Sequence, residues 1–196
     1  MAFKTEWCGG DVSVARNKRP QAADEKRQEI VAAARRLFID SGYEATSMSR
    51  LAKEAGVAPN TIYWYFADKD DVLVAVVSAV MADAWPQYQA IADQPIAVRV
   101  LWIVRRLTEM SGLVTTVHAR VPHSPAVAEW HNNFHLLTAT LFRAELEALG
   151  VPPETVDAEV TIAVFTVEGL LTHGQDEDEQ RTICETLAAR WPSATS

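Results

Sequence analysis

The chain has 196 residues, 48% of them apolar and 22% charged, with a net charge of −8 at pH 7. That balance excludes a disordered or low-complexity chain, and the length allows one or two domains. No apolar run approaches the roughly 20 residues of a membrane span, and residues 1–20 lack the apolar core of a secretory signal, so a cytoplasmic location is expected.

Residues 1–22 read as a flexible N-terminal arm. Gly9, Gly10 and Pro20 disfavour regular structure there, and Arg16, Lys18 and Arg19 form a basic cluster. Such arms can reach phosphates or a minor groove; a solvated charged tail is the simpler alternative. A first helix is expected from about Asp24 to Ser41. Ile30, Ala33, Ala34, Leu37 and Phe38 share one face of it, Gly42 ends it, and Tyr43 should pack onto the small domain that follows.

The stretch from Thr46 to Lys69, TSMSRLAKEAGVAPNTIYWYFADK, is the most informative part of the chain. Ser47 is a strong N-cap for a short helix. Leu51, Ala52 and Ala55 give that helix one apolar face. Gly56 tolerates the left-handed backbone of a sharp turn, Val57 turns inward, and Pro59 fits the first turn of a second short helix. Ile62 and Phe66, four apart, anchor this second helix to a core. Asn60, Thr61, Tyr63, Trp64 and Tyr65 are left around its other side. Asp68 and Asp71 then start a further helix near Lys69.

A helix, a Gly turn and a second helix make a helix-turn-helix, whose second helix enters a DNA major groove. The wider stretch resembles the TetR family of regulators. The residues that carry the resemblance are the lead-in helix Glu29 to Met48, then LAKEAGVA, then TIYWYFADKDDVL; it is specific from about Glu29 to Leu73. Where many members have Ser followed by a basic or small residue, this chain has Ala58 and Pro59. A capping hydroxyl and a phosphate contact are therefore missing. The expected DNA-binding residues are Thr46, Ser47, Arg50, Pro59, Asn60, Thr61, Tyr63, Trp64, Tyr65 and Lys69. Arg50, Asn60, Thr61 and Tyr63 are assigned to bases, and Ser47, Trp64, Tyr65 and Lys69 to phosphates.

The acidic net charge hides an asymmetry. Residues 1–70 hold 11 basic and 10 acidic side chains, whereas residues 71–196 hold 7 and 16. All five Lys fall in the first part. A basic reading head on an acidic body has this distribution.

Beyond Lys69 the pattern stays helical. Helices are expected from Lys69 to about Ala84 before Pro86, for about 18 residues from Pro95, from Pro125 to Leu149, from Pro152 to His173, and from Glu177 to Arg190. Residues 111–125 read as short helical pieces broken by Gly112, Pro122 and Pro125. No period-two alternation signals a strand. The fold class is all-α with about nine helices. The domains are the arm, a helix-turn-helix DNA-binding domain over 23–68, and a larger ligand-binding and dimerisation domain over 69–196.

The last two helices are the expected dimer surface. Val156, Val160, Ala163, Val164, Val167, Leu170 and Leu171 form an apolar band with Gly169 permitting close approach, and Ile183, Leu187 and Trp191 form a second stripe. The resemblance implies the same homodimer, and also an apolar ligand cavity among the middle helices. Candidate lining residues are Trp102, Met110, His118, Trp130, Phe134 and Phe165, with Glu109 and Glu168 as polar anchors. An aromatic at helical spacing serves equally as plain core.

His131 and His135 lie four apart and can share a helix face. Two imidazoles bind a metal only when further ligands join them, and the adjacent Glu of a metalloprotease H-E-x-x-H is absent. No metal site and no cofactor is therefore assigned. Cys8 and Cys184 give no disulfide framework; two reduced thiols are expected, with a redox sensor as the alternative. No nucleophile–base–oxyanion set or phosphate-binding Gly loop supports an enzyme. The expected function is a DNA-binding transcriptional regulator, a repressor released from a pseudo-palindromic double-stranded operator by an unknown small-molecule effector. The alternatives are a metal-dependent hydrolase using His131 and His135, or an architectural DNA-bending protein without ligand control.

Overall fold

Apolar residues at helical spacing wind the chain into successive helices in a computed structural model that describes residues 18–192. Among these residues the chain is all-α, with nine helices and no strand. In order they are α1 (Lys18–Asp40), α2 (Met48–Glu54), α3 (Pro59–Ile62), α4 (Lys69–Gln89), α5 (Ile96–Glu109), α6 (Ser111–Arg120), α7 (Pro125–Ala148), α8 (Val156–Thr172) and α9 (Glu177–Ala188).

Local signals set most of the boundaries. The Ser47 hydroxyl accepts from the Arg50 amide at 3.1 Å, and Asp68 and Ser124 cap α4 and α7 in the same way. Asp176 and Glu179 close a reciprocal capping box on α9. Gly56, with φ +65°, makes the turn between α2 and α3, a conformation that costs a residue with a Cβ about 1–2 kcal/mol.

Four boundaries differ from expectation, besides α5, which has 14 residues rather than about 18. The first helix begins at Lys18, so residues 18–22 belong to it rather than to the arm; the remainder of the expected arm, with Cys8, lies outside the described residues. Pro20 falls within its opening turn, where a missing N–H removes no helical bond. Second, α4 continues through Pro86 to Gln89; one proline removes one donor, and packing of this long helix against α1 and α7 outweighs that loss. Third, residues 111–120 form a single helix, because Val117 and Leu113 bury one face of it and hold Gly112 in place. Fourth, α8 starts only at Val156, after a turn at Pro152–Thr155.

Two apolar cores hold the helices. The first joins Ile30, Ala34 and Phe38 of α1 to Leu51, Ile62, Phe66 and the Val72–Leu73–Val76 face of α4, and it extends to Leu113 and Val117 of α6 and Val127 of α7. Packing therefore runs without a break across positions 68 and 69, so α4 and α6 fasten the head to the body. The second core contains Val100 and Val104 of α5, Leu146 of α7, Val156, Val160, Ala163 and Leu170 of α8, and Cys184, Leu187 and Trp191 at the C-terminal end. Each fully buried aliphatic side chain contributes about 1.5–3 kcal/mol.

This second core engages much of the apolar surface of the last two helices. The apolar stripe of α9 is buried against α5 within the same chain, and its outer face is polar: Glu177, Asp178, Arg181, Thr182 and Glu185. The Arg190 guanidinium and the Trp191 indole N–H both donate to the Glu159 carboxylate at 2.8–3.0 Å, which fixes the end of α9 onto α8. The exposed apolar face lies instead on α7 and α8, where Leu136, Leu137, Leu141, Ile162 and Phe165 meet solvent. Cys184 is fully buried and burial pushes its thiol pKa up, which disfavours the thiolate that redox sensing needs. No helix among the described residues is long and apolar enough to cross a membrane.

Candidate functional site

The head presents a narrow aromatic tip. Only Pro59–Ile62 forms regular α3, since Ala58 offers no side-chain cap; Tyr63 to Phe66 follow as wound turns, with Tyr65 and Phe66 amides bonding to the Ile62 carbonyl at 2.9 and 3.0 Å. Ile62 and Phe66 are buried, as their spacing requires. Trp64 is 87% exposed and Tyr63 57% exposed. Pro59, Asn60, Ser47 and Arg50 are exposed as well, and Thr61 and Tyr65 are half-buried. An 87%-exposed indole has no role in the packing of the chain itself.

Three of the expected residues are held differently. Thr46 is 1% exposed and its hydroxyl donates to the Gly42 carbonyl at 2.9 Å, so it braces the turn from α1 into α2 rather than offering a surface. The Arg50 guanidinium donates to the Ser41 hydroxyl at 2.8 Å and to the Ala45 carbonyl at 3.2 Å. Lys69 is half-buried: its ammonium lies 4.0 Å from the Tyr43 ring centroid and donates to the Tyr43 carbonyl at 2.9 Å. Sequence spacing carried no information about the acceptors of these three side chains.

Behind Lys69 lies a polar clasp that sequence reasoning missed. The Arg120 guanidinium at the end of α6 donates to Asp70 through Nε at 3.0 Å and Nη2 at 2.7 Å. The Tyr43 hydroxyl also donates to Asp70. Burial alone would raise the Asp70 carboxyl, but the bonds from Arg120 and Tyr43 and the Arg120 charge outweigh it and hold the pKa below the ordinary value. Burial and the same bond to Asp70 push the Tyr43 phenol far upward. Residues fifty positions apart form this clasp, and no local pattern marks either of them.

A cavity of about 210 Å³ opens within the body between α4, α5, α6, α7 and α8. Of the expected lining residues, Met110, His118, Trp130, Phe134 and Glu168 do line it. Three do not. Phe165 points outward at 68% exposure. Trp102 packs on Tyr88 and the Arg106 guanidinium outside the cavity. Glu109 bonds Arg106 at 2.7 Å. Each sits on the opposite side of its helix from the cavity, a distinction that periodicity without a known neighbour leaves open. The walls are otherwise aliphatic, including Val80, Ile103, Leu107, Val164 and Leu171. Trp130 and Phe134 stack with centroids 5.4 Å apart, and the Trp130 N–H donates to Ser78 at 2.9 Å.

The cavity's titratable side chains are His118, His131, His135 and Glu168, and they meet at one corner. His131 and His135 Nε2 atoms are 3.1 Å apart. The His118 and His131 rings meet edge to face at 5.1 Å. Burial, followed by the neighbouring His135 and His118, lowers the His131 pKa, so its neutral form is favoured.

A helix-turn-helix head is thus carried on a helical body with its own cavity. Residues 30–76 match the family described as "Bacterial regulatory proteins, tetR family". Over those residues, which run from the second half of α1 to the first part of α4, the chain resembles the TetR family. It is 40% identical over 62 residues to the transcriptional regulator HbdR of Aromatoleum sp. (strain CIB), and 47% identical over 55 residues to AcrR of Shigella flexneri. These matches cover 32% and 28% of this chain, and it spans only about a quarter of the relatives' length, 27% and 26%. Similarity of fold extends much further. A TetR transcription regulator from Haloarcula marismortui ATCC 43049 superposes with a TM-score of 0.70 at 17% identity, covering 86% of this chain and 98% of that one. A regulator from Saccharomonospora viridis, solved in complex with choline, gives 0.71 at 18% identity, covering 88% and 100%.

Proposed function

We propose that the chain is a ligand-responsive transcriptional regulator that binds a pseudo-palindromic DNA operator as a homodimer and is released from it by a small molecule held in the body cavity. The observation that carries this reading is the exposed Tyr63–Trp64 tip, set on a rigid helix-turn-helix that belongs to a DNA-binding family. Asn60 and Tyr63 are assigned to base edges, and Ser47, Trp64 and Tyr65 to the backbone. Arg50 and Lys69 act chiefly by holding the turn and the α4 junction in place. A dimer sets two heads in successive major grooves, roughly 34–36 Å apart. The second copy docks on the exposed α7–α8 face rather than on α8 and α9.

The clasp gives a route from cavity to head. Leu113, Val117 and His118 of α6 line the cavity, and Arg120 two residues later grips Asp70 at the start of α4. A ligand that binds more tightly when α6 is displaced shifts the head's position by that difference in affinity. The complex of a similarly folded regulator with choline supports a small-molecule ligand in such a body.

The test is titration of the purified protein with a duplex from upstream of its own coding region. Binding is expected to be saturable and to weaken with salt. Asn60→Ala and Tyr63→Ala are each expected to weaken it about tenfold without changing the melting temperature, since both side chains are exposed. Failure of the parent protein to bind any such duplex would falsify the reading.

A further inference from the structure

We propose that His118, His131 and His135 form a binding site for a first-row divalent transition metal ion, with Glu168 or a donor from a cavity-bound molecule completing its coordination. The three histidines come from two helices and a carboxylate comes from a third: His118 from α6, His131 and His135 from α7, and Glu168 from α8. One ligand nitrogen from each ring can be chosen so that all lie within 4.8 Å of one another. A zinc ion bound at 2.0–2.1 Å to tetrahedral nitrogens sets them about 3.3 Å apart. The His131 and His135 Nε2 atoms already stand at 3.1 Å. His118 is exposed, so its ring can rotate the remaining distance. The Glu168 carboxylate lies 3.9 Å from His135 Nε2, within reach of the fourth position.

The chemistry of the corner favours a metal over a set of unrelated surface histidines. The His131 ring meets both His118 and His135, so three imidazoles from two helices converge on one small volume. A metal ion there would take a lone pair from each neutral ring. Imidazole nitrogens suit zinc, copper, nickel and cobalt, not magnesium or calcium. Three protein nitrogens also leave a coordination position open toward the cavity, as in sites where a metal receives an outside donor. H-x-x-x-H on α7 supplied half of this set; the third ring, His118, arrives only through the packing of α6 on α7.

The probe is zinc itself, added to the full chain after chelation and dialysis, in competition with a chromophoric chelator. One zinc per chain is expected to bind, and cobalt in its place should give the visible absorption of a four-coordinate ion. His131→Ala and His135→Ala should each weaken binding by at least the roughly 10–100-fold that even the loss of an outer partner of a zinc ligand costs. His118→Ala should weaken it likewise while leaving the circular dichroism unchanged, because that side chain is exposed. His123→Ala and His173→Ala, the two histidines outside the cluster, should bind zinc as the parent does. Absence of saturable binding at one equivalent overturns the proposal, and so does zinc affinity that survives all three cluster substitutions. The measurement needs no DNA, so it stands or falls apart from the regulatory reading.

Discussion

A chain carrying Leu137→Glu and Phe165→Glu is expected to sediment as a folded monomer where the parent sediments as a dimer. The parent exposes Leu136 and Phe165 at 68% each and Leu137 at 56%, on two helices that pack side by side. Contiguous apolar surface of this kind marks a contact with another molecule. In a two-fold dimer each such residue faces its own symmetry mate or a near neighbour, so each introduced charge meets another of the same sign. Neither side chain belongs to an apolar core, so the monomer should keep its helical content. Affinity for a palindromic duplex should fall by about a hundredfold or more, because the second head no longer binds at the high effective concentration that linkage gives it. Analytical ultracentrifugation and duplex titration read the two effects. Thr182→Glu on the polar outer face of α9 is the control and should leave the dimer intact. A dimer that persists with both α7–α8 charges but dissolves with the α9 substitution would return the interface to the last two helices.

Asp70→Ala should be the most damaging single change at the head–body junction. It leaves the Arg120 guanidinium and the Tyr43 hydroxyl without their shared acceptor. The loss of charged hydrogen bonds at a largely buried site costs about 3 kcal/mol, which lowers the melting temperature by roughly 6–12 °C in a domain of this size. The effect depends on pH in a defined direction. A carboxyl whose pKa is lowered by folding stabilises the fold fully above its ordinary value of 3.8, and that contribution is lost as pH falls through the lower folded value. The gap between parent and variant should therefore be constant near neutrality and close below about pH 4. Thermal melts of both proteins across that range measure it. A gap that stays open in acid would mean that Asp70 acts through packing rather than charge.

The parts of the molecule that were legible in the sequence are those governed by neighbours in sequence. Ser47 caps α2, Gly56 turns the chain, and Ile62 and Phe66 anchor the tip, because each acts on residues within four positions of itself. Family resemblance over Glu29–Leu73 rests on the same local devices. The illegible parts depend on partners distant in the chain. Whether Val160 faces α5 or a second copy is not encoded in the period of α8, since a core stripe and an interface stripe look alike. Thr46 is the exception: its acceptor, the Gly42 carbonyl, is only four residues away, but a threonine hydroxyl serves a surface or a turn equally well. Phe165 and Trp102 share the helical register of genuine cavity residues, but their helices are rotated to turn them away. His131 and His135 were visible as a pair, and their likeness to a metal-binding set changes only when His118 is carried to them by α6.

The internal bonds of Arg50 and Lys69 bear on how ions take part in DNA binding. A protein gains affinity from salt release only for those cations it brings to phosphates. In this head one guanidinium is engaged by Ser41 and Ala45, and one ammonium by Tyr43. These hydrogen-bond acceptors are neutral and each cation keeps unused N–H donors, so its charge still acts on a nearby phosphate while its side chain is held in place. The fall of affinity with salt should therefore still count these two cations, while the entropy cost of ordering their side chains is met before the duplex arrives.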